Sequence, residues 1–428
     1  MKRTHLISEL NPSDLNKKIV IAGWIEDIRK MGSIIFITIR DYTEITQVIF
    51  RKSHDKFELI EKIPRQSIIY VQGKLKSSNA RDFNFEIDGE DIEIVSEANH
   101  PLPIDPTGRI ISSTDIRIDA RALDVRNPKV SSIFKIRHGI CKYIREYLID
   151  EGFIEINTTK IIGQAVEGGA NLFKLNYFGR NAYLSQSPQL YKEQLTLSLE
   201  RVFEIADYFR AEKSNTTRHI SEFTSVDIES AFMNQDDVMT ILEKMINVII
   251  KKLNIEYSKE LNILEREIKI PKTLFKKISY EDVINKLKDT GLKIEFGDDL
   301  TDSALSLIGK TNKEYYFIVD WPNNLKPFYI KSKDNSTQIS TGFDLQYGKM
   351  ELCSGGMRIH KKDELISKLK KNKLDINSFK NHINTFNWGM PPHSGWGFGL
   401  DRFLMIITGT DNIREVVLFP RDPNRLTP

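Results

Sequence analysis

Residues 201–230 combine side chains suited to holding a nucleotide. Strand alternation over 202–212 predicts Arg210 and Glu212 on one face. A polar loop follows with Arg218 and His219, and the returning strand, 222–230, carries Phe223, Asp227 and Glu229 on one face. Arginine grips a phosphate through a planar fork, and an aromatic ring stacks on a base. A solvated hairpin laced with surface salt bridges would use the same residues, so this stretch alone leaves both readings open.

Three other stretches carry comparable chemistry. Ser187 and Pro188 read as the N-cap and first position of a helix, with Gln189 and Lys192 sharing a face of its first turn. A helix start beside a lysine suits a carboxylate or a phosphate, although an ordinary capped helix looks the same. In residues 343–358 a tight turn is predicted at Tyr347-Gly348, which sets Asp344 directly opposite Glu351. Facing carboxylates repel unless a cation joins them, and Mg²⁺ held by one or two carboxylates plus phosphate oxygens is the usual solution. A different register would part them. Ser354 and Arg358 follow. Near the C-terminus Gly395, Gly397 and Gly399 alternate before Arg402, which clears one face of a strand for a flat ring or for tight packing.

The elements that must position these residues fall into three parts. In residues 1–96, strands at 19–28, 33–41, 44–50, 68–76 and 82–95 surround one helix at 53–63, the order of an OB-fold barrel. Residues 97–130 hold a proline-punctuated run and an arginine-rich run, read as a linker or hinge. In 131–428 a long helix is expected from Ser131 or Ser132 to Gly152, with Ile133, Ile136, Ile140, Ile144 and Leu148 on one face. Strands are expected at 153–156, 202–212, 222–230, 315–320, 343–353 and 416–419. No βαβ rhythm is present, which predicts an α+β domain on a largely antiparallel sheet.

Composition narrows the classes. The chain has 428 residues, 40% hydrophobic and 28% charged, with a net charge of +3. Any polyanion must therefore be held by local patches. Apolar runs such as 403–407 are too short to span a bilayer, and no apolar signal core follows Met1, so a cytoplasmic protein without membrane contact is expected. Cys141 and Cys353 cannot build a disulfide framework.

Taken together, the segments resemble class II aminoacyl-tRNA synthetases. Phe209-Arg210-Ala211-Glu212 with Arg218-His219 and Glu222-Phe223-Thr224 resembles motif 2. Gly397-Phe398-Gly399-Leu400-Asp401-Arg402 resembles motif 3, and helix 133–148 with strand 153–156 resembles motif 1. The N-terminal barrel is similar to that of the aspartate, asparagine and lysine subgroup. Glu167-Gly168-Gly169-Ala170, Gln186-Ser187-Pro188-Gln189-Leu190-Tyr191-Lys192, Met390-Pro391-Pro392-His393 and Leu418-Phe419-Pro420-Arg421-Asp422 look like the archaeal and eukaryotic aspartyl type. Thr159 stands where motif 1 closes with proline.

The resemblance implies roles. Arg210 would hold the ATP α-phosphate and Glu212 the adenine amino group. Phe223 and Arg402 would cover the two adenine faces, and Arg218 and His219 would reach the outer phosphates. Asp344, Glu351 and Ser354 would organise Mg²⁺, with Glu351 also on the ATP side and Ser354 also near the amino acid. Glu167, Ser187 and Gln189 would receive the aspartate α-amino group, while Lys192 and Arg358 would face its side-chain carboxylate. In the barrel, Phe36 and Gln47 would contact the middle anticodon base, and Glu26 would favour the terminal cytosine of tRNA-Asp. The implied partners are L-aspartate, ATP, a second copy of the chain and tRNA-Asp, with charging of tRNA-Asn as well left open. An asparaginyl enzyme is the nearest alternative. An RNA-binding paralogue with a decayed catalytic domain would have lost Arg210, Arg402, Asp344 or Glu351. A synthetase-derived enzyme making asparagine would not need the barrel.

Overall fold

Alternating apolar and polar residues curl the N-terminal strands of the computed structural model into a closed barrel. The structure describes residues 1–78, 80–163, 171–213, 216–272, 274–333 and 338–428. Two units emerge, Met1–Asn127 and Pro128–Pro428.

In the first unit β1 (Lys18–Met31), β2 (Ile34–Arg40), β3 (Ile45–Arg51), α1 (Phe57–Lys62), β4 (Ile68–Ser77) and β5 (Phe85–Ser96) follow one another. The barrel closes in the order β1-β2-β3-β5-β4. Ile21, Ile25, Ile35, Ile37, Ile39, Val48 and Phe50 fill its interior. Residues 97–113 contain no helix, as the prolines require. The predicted linker then departs from expectation by forming α2 (Thr114–Asp119) and α3 (Arg121–Asp124). The arginines that mark it as polar fold inward. Arg117 Nε and Arg121 Nη1 each donate to Asp124 at 2.9 Å, and Arg121 is buried.

The second unit opens with α4 (Pro128–Asp150), three residues earlier than Ser131, because proline's fixed φ suits a first helical turn. Gly152 follows at φ +82° and stops it. Next come β6 (Ile154–Glu155), β7 (Ile161–Ile162), β8 (Lys174–Tyr177), β9 (Arg180–Leu184), α5 (Gln189–Leu199), β10 (Arg201–Phe209), β11 (Glu222–Ala231), α6 (Gln235–Glu256) and α7 (Ser258–Ile263). After β12 (Lys276–Ser279), α8 (Tyr280–Asp289) and α9 (Asp302–Thr311) lie β13 (Tyr315–Val319), β14 (Phe343–Tyr347) and β15 (Met350–Met357). The chain continues through α10 (Lys362–Lys371), α11 (Lys380–Thr385), β16 (His393–Gly399) and α12 (Leu400–Thr408).

Eight strands form one sheet in the order β12-β13-β14-β15-β16-β11-β10-β6. Only the β6–β10 and β12–β13 pairs are parallel, so the sheet is largely antiparallel. Ile136, Ile140 and Ile144 of α4, Leu242 and Met245 of α6, and Phe403 and Leu404 of α12 share one core with Val226, Ile228 and Phe398 of the sheet. The strand expected at 416–419 is absent: a 3₁₀ turn at Ile413–Glu415 leads into bends. No described helix is long and apolar enough to cross a membrane.

Candidate active site

Alternation along β11 sorts its side chains onto two faces. Val226 and Ile228 enter the core, while Phe223, Ser225 and Asp227 line a cleft of about 320 Å³. The glycines of β16 keep its floor open. A Cβ on Gly397 would come within 3.2 Å of Asp227 Oδ1, and one on Gly395 would overlap the Glu229 carboxylate. Arg210, Glu212, Arg218, His219, Phe223, Glu351 and Arg402 reach this cleft, as do Ser187, Gln189, Ser354 and Arg358. Lys192 and Asp344 stop behind its lining. Glu167 lies outside the described residues.

At one end the cleft is built for a nucleotide. Arg210 and Glu212 lie past the end of β10 at Phe209, not within the strand as alternation predicts. The Arg210 amide donates to Ser221 O at 2.9 Å, which carries the ladder one step further. Its guanidinium sits over the Phe223 ring, 5.2 Å from the centroid, with Nη1 3.9 Å from Glu212 Oε1. Arg402 donates to Glu351 O at 3.0 Å and approaches His219 Nε2 at 3.4 Å. Burial and the Arg402 charge push the His219 pKa down, so the ring is neutral at pH 7. Arg218 is tied to Asp302 at the start of α9. Arg137 of α4 bonds both Asp401 and Thr224, the neighbours of Arg402 and Phe223.

The amino-acid end contains a buried quartet of charges. Lys192 Nζ donates to Asp227 Oδ1 at 2.8 Å and to Trp396 O at 3.1 Å. Arg358 donates to both oxygens of Glu229, at 2.9 and 3.2 Å. Each of the two cations thus has a buried counter-ion of its own. Uncompensated charges in so dry a place would cost several kcal/mol apiece by general estimates, about the size of a whole fold's stability margin. The helix start is also adjusted. Pro188, not Ser187, is the N-cap of α5, and the Ser187 hydroxyl accepts from the Gln189 amide at 3.4 Å. Gln189 itself is held from below, its Nε2 donating to Glu193 Oε1 at 2.6 Å.

The β14–β15 hairpin corrects another expectation. Its turn is Gly348-Lys349, and a bulge shifts the register between Leu345 and Gln346. Asp344 consequently faces Ser354, and Glu351 faces Gln346. The donor set still fits a hard divalent cation. Burial and the neighbouring Asp344 charge raise the Glu351 pKa. Lys326 places its ammonium 2.6 Å from Asp344 and 3.5 Å from Ser354 Oγ, so positive charge already collects there. Among the described residues no three His, Cys, Asp or Glu side chains converge as a metal site. Lys326 and Glu193 escaped the sequence reading, which placed Asp227 on the correct strand face but not against Lys192. Of those two, Glu193 left a signal there, four residues beyond Gln189 on one helical face.

Residues 113–423 match the family model described as tRNA synthetases class II (D, K and N), and 19–95 match an OB-fold nucleic acid binding domain. The chain belongs to the class II tRNA synthetases. This synthetase is 39% identical to the aspartate–tRNA(Asp/Asn) ligase of Methanothermobacter thermautotrophicus, over 100% of this chain and 99% of the relative. It is 42% identical to the aspartate–tRNA(Asp) ligase of Pyrococcus horikoshii, with all of both chains covered. Among solved structures, asparaginyl-tRNA synthetase of Pyrococcus horikoshii with asparaginyl-adenylate superposes with a TM-score of 0.94 at 31% identity, covering both chains fully.

Within the synthetase, the segment around Thr159 is held by hydrogen bonds. Thr158 donates to the buried Glu204 through its amide and its hydroxyl, each at 2.8 Å, and Lys160 Nζ reaches the same carboxylate at 2.7 Å. Thr159 donates to Ile161 O at 2.9 Å.

On the synthetase's barrel, Phe36 is not core. Ile35 and Ile37 point inward, and Phe36 lies half-buried on the outer wall beside Gln47, which pairs with Thr38. Gln47 Nε2 is 3.4 Å from Glu86. Glu26 is not a free carboxylate: Arg40 donates to it through Nε and, at 3.0 Å, through Nη2. A carboxylate beside an arginine across paired strands closes on it, which sequence spacing alone does not show.

Proposed function

We propose that this synthetase is an aspartate–tRNA ligase. It activates L-aspartate with ATP to aspartyl-adenylate and transfers the aspartyl group to tRNA-Asp. The carrying observation is Arg358 on the lining of the cleft, with Lys192 behind it. Arg358 commits Nε and Nη2 to Glu229, and among the described residues its Nη1 makes no hydrogen bond. A side-chain carboxylate can bind this edge as a charge-assisted acceptor, whereas an asparagine amide would present it with a weaker, neutral partner. The full-length likeness to aspartate–tRNA ligases supports the same choice.

The chemistry follows from placement. An α-carboxylate oxygen of aspartate attacks the α-phosphorus of ATP, and the bond to the leaving pyrophosphate breaks in line. Arg210 meets the charge on the α-phosphate, Phe223 and Arg402 hold the adenine, and Arg218 and His219 guide the outer phosphates. Ser187 and Gln189 receive the α-ammonium, with Glu167 as a third partner. A ribose hydroxyl of tRNA then attacks the activated carbonyl and AMP departs. No covalent bond to the enzyme is needed, so orientation and charge compensation supply the catalysis. Asp344, Glu351 and Ser354 would hold Mg²⁺, which when bound neutralises phosphate charge.

The division of labour follows the sequence. Residues 1–96 read the anticodon, 97–130 connect, and 131–428 catalyse. Phe36 stacks on the middle base and Gln47 hydrogen-bonds it. The Glu26–Arg40 pair, not Glu26 alone, offers cytosine an acceptor beside a donor, and uracil reverses that order. The working form is a cytoplasmic homodimer. Ile149 of α4 and Ile154 of the edge strand β6 are 56% and 47% exposed, an apolar border suited to a second copy. Aspartate-dependent exchange of pyrophosphate into ATP tests the catalytic reading, and sedimentation tests the dimer.

A further inference from the structure

Gln189 has an amide whose two ends do opposite things. The oxygen accepts hydrogen bonds and the nitrogen donates them, so one rotation of the group decides whether an ammonium is welcomed or repelled. In this structure Nε2 is turned away from substrate, into the protein, and donates to Glu193 Oε1 at 2.6 Å. Both residues are buried, and Gln189 still borders the cleft.

Glu193 is in turn flanked from behind by two histidines. Its Oε2 stands 3.5 Å from Nε2 of His382 on α11 and 3.5 Å from Nε2 of His393 at the start of β16. His393 Nδ1 lies 2.7 Å from Pro391 O, and a carbonyl only accepts, so Nδ1 carries a proton. A lone pair on the other ring nitrogen would face a carboxylate, so Nε2 is protonated as well and His393 is an imidazolium. An ionised carboxylate has no hydrogen to donate. The only way Gln189 can satisfy it is with the NH₂ end.

We propose that Glu193 is a positioning residue that fixes the Gln189 amide with Oε1 toward the cleft, where it accepts from the α-ammonium of the amino-acid substrate. The inference rests on the reading of aspartate as that substrate. It assigns Glu193 no contact with substrate. The buried His393–Glu193–Gln189 chain sets the polarity of the binding site from below, and a neutral apolar residue at 193 would leave the amide free to turn.

Succinate tests this directly, because it keeps both carboxylates of aspartate and lacks the ammonium. The readouts are the KM for aspartate and the inhibition constant of succinate in pyrophosphate exchange, with the KM for ATP as control. Glu193→Met should raise the aspartate KM about tenfold, the worth of one charge-assisted hydrogen bond, and leave succinate and ATP within about twofold. Glu193→Gln, which keeps the shape and can offer either end of an amide, should show a smaller loss. Gln189→Met should match Glu193→Met, and the double variant should lose no more than Gln189→Met alone. Parallel weakening of aspartate, succinate and ATP would overturn the proposal, as would a Glu193 effect that persists in the Gln189→Met background. Wild-type exchange with aspartate, combined with an unchanged aspartate-to-succinate ratio in Glu193→Met, would remove this inference alone. Wild-type protein that does not use aspartate would remove the substrate reading and this inference with it.

Discussion

Lys192 Nζ lies 2.8 Å from Asp227 Oδ1, and both side chains are almost fully buried beneath the cleft. Asp227 lines the cleft and Lys192 does not, so the lysine is separated from the cleft by its own counter-ion.

Removing one member of that pair should be costly in two ways. Lys192→Met strands a buried carboxylate, with a loss of about 3–5 kcal/mol in unfolding free energy. Replacing the pair together, Lys192→Met with Asp227→Asn, should recover much of that stability but not aspartate activation. Denaturant melts beside exchange assays separate the effects. Recovery of activity in the double variant would show that Lys192 is structural only.

At the nucleotide end, Arg402→Ala should abolish adenylate formation by a factor of roughly 10² or more, the scale for loss of one well-placed charge stabiliser. Arg210→Ala should do the same with little change in melting temperature, because Arg210 rests on Phe223 at the cleft surface. Near-normal single-turnover adenylate formation in either variant would mean that these side chains are misassigned.

Phe36→Ala should leave pyrophosphate exchange unchanged and weaken tRNA charging by roughly 1–3 kcal/mol, the worth of a base stack. The ring is on the outer wall of the barrel and contributes nothing to its sealed interior. A matching loss in both assays would indicate damage to the barrel instead.

The Glu193–His393 pair predicts a signed pH effect on stability. Burial alone would lower the His393 pKa, but the Glu193 carboxylate 3.5 Å away, with the charge of Glu229, raises it above its ordinary 6.5. Glu193 moves the other way: burial opposes, and His382 and His393 hold it below its ordinary 4.5. A raised histidine stabilises the fold below pH 6.5 and loses that contribution as pH climbs through its folded pKa; the carboxylate's share is present above 4.5 and fades in acid. The difference in melting temperature between wild type and His393→Asn should thus be largest between about pH 4.5 and 6.5 and shrink on the alkaline side. A difference that is flat across this range would contradict the ion pair.

What the sequence made legible was set by local physics. Runs rich in Ile, Val, Phe and Thr placed the barrel strands within a few residues, and the three-and-four spacing of Ile133, Ile136, Ile140 and Ile144 gave α4 its buried face. Arg210, Phe223, Glu351 and Arg402 were found as side chains of one cleft. The errors arose where distance along the chain or a single extra residue decided the outcome. The turn falls one residue later than predicted, at Gly348-Lys349, which alone would set Asp344 opposite Cys353, and the bulge between Leu345 and Gln346, which leaves no mark in composition, carries it one step further to Ser354. Glu193 meets histidines far along the chain, and Lys326 meets Asp344 across a loop, so neither partnership is written in any short motif.

The measurement closest to the central claim is exchange of labelled pyrophosphate into ATP, with L-aspartate and L-asparagine in parallel and no tRNA present. With the charged floor formed by Lys192, Arg358, Asp227 and Glu229, aspartate should support exchange and asparagine should support it at least about a hundredfold less well, since the site would be denied a charge-assisted partner. Robust exchange with asparagine and none with aspartate would contradict the assignment.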